Sequence, residues 1–287
     1  MTARYTQLET VVLEHAASDS HVVIAPSRGA IVTRFCARGR EVLFLDEATL
    51  VDTTKNVRGG IPVLFPSPGA LAGDRFERAG KRGAMKQHGV ARNMAAALQP
   101  GATATSATLV LAADDATRAA FPWDFKLTLR FSLEVHVADV RLVIGQRIEN
   151  HSDTRMPFAM GFHPYFAVPV ADKARARVPT TATRAFDNVP KREVDLKGPI
   201  DLTRGEVDLH LVDHARSDAT LELGDGRAVR IEASSAYRRW VIWTLPEKDF
   251  VCLEPWTAPG NALNTGAGLL DVEPGASHDL TTSFEVA

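Results

Sequence analysis

The clearest structural signal in the chain is KLTLRFSLEVHVADVRLVIGQRI, which occupies residues 126–148. Apolar and polar side chains alternate over residues 126–135, and a second run with one apolar face follows over residues 140–148. Because successive side chains of a strand point to opposite faces, each run predicts a half-buried strand. Ala138 and Asp139 can form the turn between them, so the stretch predicts an antiparallel hairpin.

Turn residues divide the rest of the chain into short segments. Gly224-Asp225-Gly226 predicts a tight hairpin turn, since Gly and Asp tolerate the positive φ angles that such turns require. A short helix is predicted over residues 115–121, ending before Pro122, because the residue preceding proline disfavours the helical conformation. Many strands, few helices and no internal repeat predict an all-β chain, a large antiparallel β-sandwich that forms a single domain over residues 1–287.

Composition and charge narrow the class of protein. Among 287 residues, 33 Lys and Arg are mixed with 35 Asp and Glu, which gives no strong field to attract nucleic acid or an anionic membrane. The two cysteines, Cys36 and Cys252, cannot form a disulfide framework or a CxxC metal site. The start of the chain lacks an export signal, and no apolar run is long enough to cross a membrane. We therefore expect a cytoplasmic monomer that binds a small molecule, with no nucleic-acid or membrane partner.

Four segments combine rigid, aromatic and ionisable residues in a way that ordinary strands do not. Proline fixes φ and glycine permits close backbone approach, so such segments can hold side chains around a pocket in defined geometry. Aromatic rings beside polar groups are typical of carbohydrate sites. The segments are NVRGGIPVLFP (56–66), QHGVARN (87–93), FHPYF (162–166) and CLEPWT (252–257).

In this order, the four segments resemble the signature segments of the aldose 1-epimerase superfamily. NVRGGIPVLFP followed by HGVAR is most similar to its D-hexose-6-phosphate mutarotase branch, and the similarity extends from about Ser27 to the C-terminus. The resemblance implies a galactose mutarotase-like fold, a large sandwich of antiparallel sheets whose concave face holds the sugar. It also implies an isomerase that interconverts the α and β anomers of an aldose or a hexose 6-phosphate without a metal or another cofactor.

The resemblance assigns the two proton-transfer roles to Glu254 and His163. The family glutamate that matches Glu254 takes the proton of the anomeric hydroxyl, and the histidine that matches His163 gives a proton to the ring oxygen. This chemistry requires a base and an acid within hydrogen-bond reach of one hemiacetal. We therefore expect Glu254 to be ionised and His163 to be protonated.

The resemblance also points to residues that bind the sugar ring. His88 matches a second family histidine that contacts the sugar. Asp208 matches an aspartate that binds ring hydroxyls, and Asp187 is the alternative candidate for that role.

For the phosphate of a hexose 6-phosphate, the resemblance points to Arg58 and Arg92, with Lys86 as a helper. Arginine suits this role because its planar fork donates two parallel hydrogen bonds to phosphate oxygens. Residues 67–71 read SPGAL, where the hexose-phosphate branch commonly has an aromatic segment. Both a free sugar and a sugar phosphate therefore stay open as the substrate.

Two other functions fit the same fold. A non-catalytic carbohydrate-binding protein would bind sugar without changing the rate of anomer exchange. A lyase or hydrolase would need a second acid/base pair, for example two carboxylates across a cleft, and the sequence shows no motif for one.

Several other residues are predicted to have structural or surface positions. His210 and His214 have the i, i+4 spacing of metal ligands on a helix, but no third ligand is evident, so both are predicted to lie at the surface. Trp240 and Trp243 are predicted to be structural. The charged residues within 172–177 are predicted to form a solvated loop.

Overall fold

β-Strands make up most of the regular structure of the chain. The computed structural model describes residues 8–287, and every element below lies in that range. The strands are β1 (Val11–His15), β2 (Ser20–Ala25), β3 (Ile31–Ala37), β4 (Arg40–Glu41), β5 (Val63–Leu64), β6 (Arg75–Arg78), β7 (Lys81–Ala84), β8 (Ala97–Leu98), β9 (Ser106–Ala112), β10 (Phe125–Val135), β11 (Val140–Asn150), β12 (Met156–Phe158), β13 (Gly161–Phe162), β14 (Tyr165–Ala167), β15 (Arg184–Asp187), β16 (Arg192–Asp195), β17 (Val207–Leu211), β18 (Asp218–Glu222), β19 (Ala228–Ala233), β20 (Arg239–Thr244), β21 (Phe250–Trp256), β22 (Leu270–Val272) and β23 (Ser277–Val286). The all-β prediction is confirmed.

Helices are short and few. The α-helices are α1 (Glu47–Val51), α2 (Asp115–Ala120) and α3 (Ala262–Thr265). Single 3-10 turns occur at Ala16–Ser18, Pro26–Arg28, Ala72–Asp74, Ala91–Asn93 and Val170–Asp172. The predicted helix is α2. Within residues 8–287, none of the helices has the length and apolar character needed to span a membrane.

The predicted hairpin lies at the centre of a seven-stranded antiparallel sheet. β10 and β11 pair from Phe125 opposite Asn150 to Val135 opposite Val140, and the strand order is β18-β19-β23-β11-β10-β9-β8. The predicted turn at residues 224–226 joins β18 to β19 in the same sheet. Both hairpin predictions are confirmed.

One face of the central hairpin is apolar, as its alternating sequence requires. Leu127, Leu129 and Phe131 of β10 are fully buried. Gln146 interrupts the apolar face of β11, and its Oε1 accepts a hydrogen bond of 3.1 Å from the Tyr237 hydroxyl. This partner matters because a buried amide without a hydrogen bond would be destabilising.

An eight-stranded sheet forms the second large layer. Its strands run in the order β16-β15-β17-β20-β21-β13-β5, and β14 also pairs with β21. Leu209 of β17, Ile242 of β20 and Leu253 of β21 lie on its buried face. Smaller sheets are formed by β1 to β4, by β6 with β7, and by β12 with β22.

The two large sheets share one apolar core. Phe162 of β13 and Phe284 of β23 are fully buried, and their rings meet edge-on with centroids 6.2 Å apart. Side chains of both sheets belong to the same buried cluster. The arrangement is the predicted antiparallel β-sandwich, and it leaves the other face of the eight-stranded sheet available for a cavity.

Candidate active site

Three adjacent strands of the eight-stranded sheet supply one wall of a cavity. In β17, β20 and β21, alternate side chains point into the core and into the cavity. Trp240 and Ile242 of β20 belong to the core, whereas Val241 and Trp243 face the cavity. The cavity-facing residues of these strands are Asp208, His210, Arg239, Val241, Trp243, Glu254 and Trp256.

Loops complete the cavity, whose volume is about 1210 Å³. Each of the four motif segments contributes side chains to its wall. Segments distant in sequence meet because β5, β13 and β21 are neighbours, with Gly161 paired with both Leu64 and Trp256. The sequence motifs therefore converge on one site.

Glu254 and His163 lie side by side in this cavity. His163 Nδ1 is 3.4 Å from Glu254 Oε1, and the Trp256 indole N–H donates to Glu254 Oε2 at 3.0 Å. The His163 ring stacks on Tyr165 with centroids 4.6 Å apart and planes 8° apart. Both side chains are almost completely buried, so neighbouring groups fix their geometry.

Burial favours the neutral form of both groups. It raises the pKa of Glu254 well above its ordinary value, an effect reinforced by the nearby Asp208 carboxylate. Burial also lowers the pKa of His163 well below its ordinary value, with contributions from His88 and the cavity arginines. These directions are opposite to the expected ionised Glu254 and protonated His163. The protein groups around the cavity therefore favour the neutral pair.

His88 has a defined protonation state and orientation. Its Nδ1 donates to the Pro68 carbonyl oxygen at 2.5 Å, and burial lowers its pKa to about 4. A neutral ring that donates through Nδ1 has a lone pair on Nε2. His88 can therefore accept a hydrogen bond from a sugar hydroxyl.

Asp208 is held by two neighbours on the cavity wall. Its Oδ2 accepts from Asn188 Nδ2 at 2.6 Å, and its Oδ1 is 3.2 Å from His210 Nε2. Burial alone would raise the pKa of Asp208, but these hydrogen bonds hold it below its ordinary value. The alternative candidate, Asp187, does not line the cavity and accepts from Arg204 Nη2 at 3.1 Å.

Arg58 and Arg92 face the cavity without a carboxylate partner among the described residues. The Arg58 guanidinium lies 5.9 Å from the centre of the Trp243 ring. Burial lowers the pKa of Arg92, and the nearby Arg58 adds to the effect. Lys86 differs, because its ammonium group is 2.6 Å from Asp74 and its side chain is 87% exposed at the cavity edge. The two arginines thus form a positive region of the wall that no described carboxylate neutralises.

The prediction that His210 and His214 lie at the surface is wrong. His210 lines the cavity beside Asp208. His214 is buried, with its ring nitrogens bonded to the Thr180 hydroxyl and the Asp218 carbonyl oxygen. The apolar Val207–Leu211 strand pattern explains His210, because alternation turns it to the cavity face with Asp208.

Sequence reasoning also misplaced or missed other residues. Lys173, assigned to a solvated loop, is buried, and its ammonium group donates to the Thr244 hydroxyl and the Leu245 carbonyl oxygen. Trp243, assigned a structural role, lines the cavity, as does Arg239, which no motif contained. These positions depend on strand pairing, which the local sequence does not reveal.

Among the residues that the structure describes, one group of buried side chains could hold a metal ion. Potential ligand atoms of His163, Cys252 and Glu254 all lie within 4.8 Å of one another. The expectation of no metal came from the family resemblance and from the spacing of the Cys and His residues, and none of these features revealed this trio.

A family model and several solved structures match nearly the whole chain. The family model for aldose 1-epimerase matches residues 9–285. The Slr1438 protein from Synechocystis sp. PCC 6803 is 34% identical, with a TM-score of 0.92 over 100% of this chain and 99% of that chain.

More distant solved structures share the fold. A galactose mutarotase-like protein from Lactobacillus casei ATCC 334 is 22% identical, with a TM-score of 0.77 over 97% of this chain and 100% of that chain. Galactose 1-epimerase from Lactobacillus acidophilus NCFM is 13% identical, with a TM-score of 0.70 over 98% of this chain and 99% of that chain. The predicted galactose mutarotase-like fold is confirmed.

Proposed function

The chain belongs to the aldose 1-epimerase family, and from that premise we propose that it interconverts the α and β anomers of a hexose 6-phosphate. The single observation that carries the proposal is the separation of 3.4 Å between His163 Nδ1 and Glu254 Oε1 in the wall of a sugar-sized cavity. A carboxylate and an imidazole in contact provide a base and an acid at one place.

The proposed reaction begins with proton transfer at the anomeric centre. Glu254 takes the proton of the C1 hydroxyl while the bond between C1 and the ring oxygen breaks. The electron pair of that bond moves to the ring oxygen, which takes a proton from His163. Rotation about the C1–C2 bond and reversal of these transfers give the other anomer.

The electrostatics of the pair support this cycle. The closed ring requires an ionised Glu254 beside a protonated His163, whereas the open chain leaves both groups neutral. Burial favours the neutral pair, and so it stabilises the state that accompanies the open-chain aldehyde. The indole N–H of Trp256 favours the ionised carboxylate and opposes this bias. Two opposing effects keep both states accessible.

Two cavity arginines that have no carboxylate partner among residues 8–287 support a phosphorylated substrate. Arg58 and Arg92 face the cavity beside the proposed proton-transfer pair, and their planar guanidinium groups suit bidentate contacts with a phosphate. His88 and Asp208 would bind ring hydroxyls through the acceptor atoms described above. The proposed substrate is therefore a hexose held by polar groups around the ring and by cations at its phosphate.

NMR exchange spectroscopy of anomer interconversion tests this function. Purified protein would be added separately to glucose 6-phosphate, glucose and galactose. We expect acceleration with glucose 6-phosphate and a loss of about 100- to 10,000-fold in Glu254→Gln, since that is the usual contribution of one acid or base. Glu193→Gln, which changes a carboxylate on the same cavity wall, is the matched control and should retain activity.

The possible outcomes separate the competing functions. Full activity in Glu254→Gln would contradict the assignment of the base. Acceleration of free sugars alone would contradict the phosphate substrate. Saturable sugar binding without acceleration of any sugar would instead indicate a non-catalytic carbohydrate-binding protein.

A further inference from the structure

A cysteine lies beside the Glu254 and His163 pair. Cys252 precedes Glu254 by two residues on β21, so both side chains lie on the same side of the strand. Its Sγ, a ring nitrogen of His163 and a carboxylate oxygen of Glu254 lie within 4.8 Å of one another. All three side chains are buried, and Cys252 is not among the residues that line the cavity.

A buried ring nitrogen without a hydrogen-bond partner points into this group. His163 Nδ1 has no hydrogen-bond partner among the described residues, although it is shielded from solvent. Glu254 Oε2 accepts from Trp256, whereas Oε1 is the oxygen next to His163. A buried polar atom without a partner is destabilising. In the tautomer with a free lone pair on Nδ1, a ligand bound to that nitrogen would relieve this cost.

The three donor types select a particular class of cation. Thiolate, imidazole and carboxylate together suit Zn²⁺, Co²⁺ and Cd²⁺, whereas Mg²⁺ and Ca²⁺ prefer oxygen ligands alone. Zinc bonds of about 2.0–2.3 Å place tetrahedral ligands about 3.5 Å apart, so closure around the ion requires movements of about 1 Å. His163 Nδ1 and Glu254 Oε1 are already 3.4 Å apart.

We propose that His163, Cys252 and Glu254 form an inhibitory binding site for a thiophilic divalent cation such as Zn²⁺. The cation enters from the cavity, which His163 and Glu254 line. Cys252 releases its S–H proton and the neutral Glu254 releases its carboxyl proton, both to solvent through the cavity. The thiolate sulfur and Glu254 Oε1 then bond to the metal, and neutral His163 donates the Nδ1 lone pair. A water molecule takes the fourth position, as in other sites with three protein ligands.

Occupancy would block the proposed proton transfer. The metal holds the carboxylate oxygen and constrains the imidazole that the reaction uses. The Trp256 hydrogen bond to the second carboxylate oxygen orients Glu254 for this contact. The inhibition rests on the proposed function, whereas binding of the metal does not.

Cobalt spectroscopy tests the site independently of activity. The reduced full-length protein would be titrated with Co²⁺, whose tetrahedral thiolate complexes absorb visible and near-ultraviolet light that the hydrated ion does not. The variants are Cys252→Ala and the matched control Cys36→Ala, which removes the other buried cysteine of the chain. We expect one equivalent of spectroscopically bound Co²⁺ in wild type and Cys36→Ala, displaced by Zn²⁺. Cys252→Ala should lose the thiolate band and bind Zn²⁺ at least about tenfold more weakly.

Activity provides the second readout. Zn²⁺ should inhibit anomer exchange by wild type and Cys36→Ala, Mg²⁺ should not, and removal of Zn²⁺ by EDTA should restore the rate. Cys252→Ala should keep its basal rate and resist Zn²⁺. Equal Zn²⁺ affinity in Cys252→Ala and wild type, or a thiolate band lost only in Cys36→Ala, would overturn the proposal.

A measurement on unmodified protein covers the case in which Cys252→Ala fails to fold. Saturating glucose 6-phosphate should weaken Co²⁺ binding at least about tenfold, because the sugar and the metal need the same Glu254 and His163 atoms. Unchanged Co²⁺ binding in the presence of a sugar that is turned over would contradict the proposal. If no sugar is turned over, the Co²⁺ spectra still decide whether the metal site exists.

Discussion

Arg58 and Arg92 provide the sharpest test of substrate identity at the level of single residues. Replacement of either with Met should raise the KM for glucose 6-phosphate by about 10- to 100-fold, since a hydrogen bond to a charged group contributes about 1.5–3 kcal/mol. The rate with free glucose, which has no phosphate, should change by less than about threefold. Steady-state measurement of both sugars by NMR exchange gives the two constants.

Lys86→Met is the informative control for this pair. The Lys86 ammonium is exposed and already paired with Asp74, and exposed ion pairs contribute little. Its KM for the phosphate ester should therefore stay within about threefold of wild type. Equal losses for free and phosphorylated sugar in the arginine variants would assign Arg58 and Arg92 to the ring or to the fold.

Motif residues were easier to predict than the chemistry they share. Arg58, His88, His163 and Glu254 all come from segments whose Pro, Gly and aromatic content stands out from the surrounding strands, and the structure places all four on one cavity. Their protonation could not be predicted in this way, because the pKa of a buried group depends on neighbours from other strands. His210 was singled out only for its spacing to His214, and its place on the cavity wall beside Asp208 follows from the alternation of β17.

At the level of elements, the conformation of residues 88–91 positions His88. His88 and Gly89 have φ angles of 78° and 73°, in the left-handed region. The Val90 and Ala91 N–H groups both donate to the Phe65 carbonyl oxygen, at 2.8 and 3.1 Å. A Cβ on Gly89 would lie 2.2 Å from that same oxygen. The backbone here must therefore approach the end of β5 as closely as only glycine permits.

Gly89→Ala should consequently harm both stability and activity. We expect a loss of at least about 2 kcal/mol in the free energy of unfolding, from backbone strain and the clash with Phe65. Displacement of His88 should also raise the KM for the sugar. Chemical denaturation and NMR exchange measure the two effects.

Gly80→Ala is a matched control for this substitution. Gly80 also has a φ of +73°, but a Cβ there would meet nothing within 4 Å. It should lose only about 1 kcal/mol, from the left-handed backbone alone, with normal activity. Equal effects of the two substitutions would show that the contact with Phe65 does not position His88.

Strand length and pattern decided which elements could be predicted. β10 and β11 have 11 residues each. Apolar and polar residues that alternate over such a length fit a half-buried strand and do not fit the period of a helix. β17 has only five residues, and its neighbours in the sheet come from distant parts of the chain. Short strands such as β17 are stabilised by these non-local partners, which a local pattern does not contain.

At the scale of the whole molecule, the eight-stranded sheet serves two purposes with its two faces. One face packs on the seven-stranded sheet, and the other carries the side chains of the cavity. His163 directly follows the core residue Phe162 in sequence. Because successive side chains of an extended segment point to opposite faces, Phe162 lies in the core while His163 lines the cavity. The packing of Phe162 in the core therefore also constrains the position of His163.

Phe284→Ala tests this coupling and the single-domain prediction together. The Phe284 ring contacts Phe162 from the opposite sheet, so its removal should decrease the free energy of unfolding by about 3–5 kcal/mol. Phe131→Ala, which truncates another fully buried ring of the seven-stranded sheet, should cause a similar loss. Well below their unfolding temperatures, only Phe284→Ala should also slow anomer exchange, because Phe162 adjoins His163.

Calorimetry should show one transition in both variants, with equal calorimetric and van't Hoff enthalpies, if residues 8–287 unfold as one cooperative unit. Two transitions would instead mean that the sheets belong to separately folding units, and normal activity in Phe284→Ala would show that the core does not position the histidine.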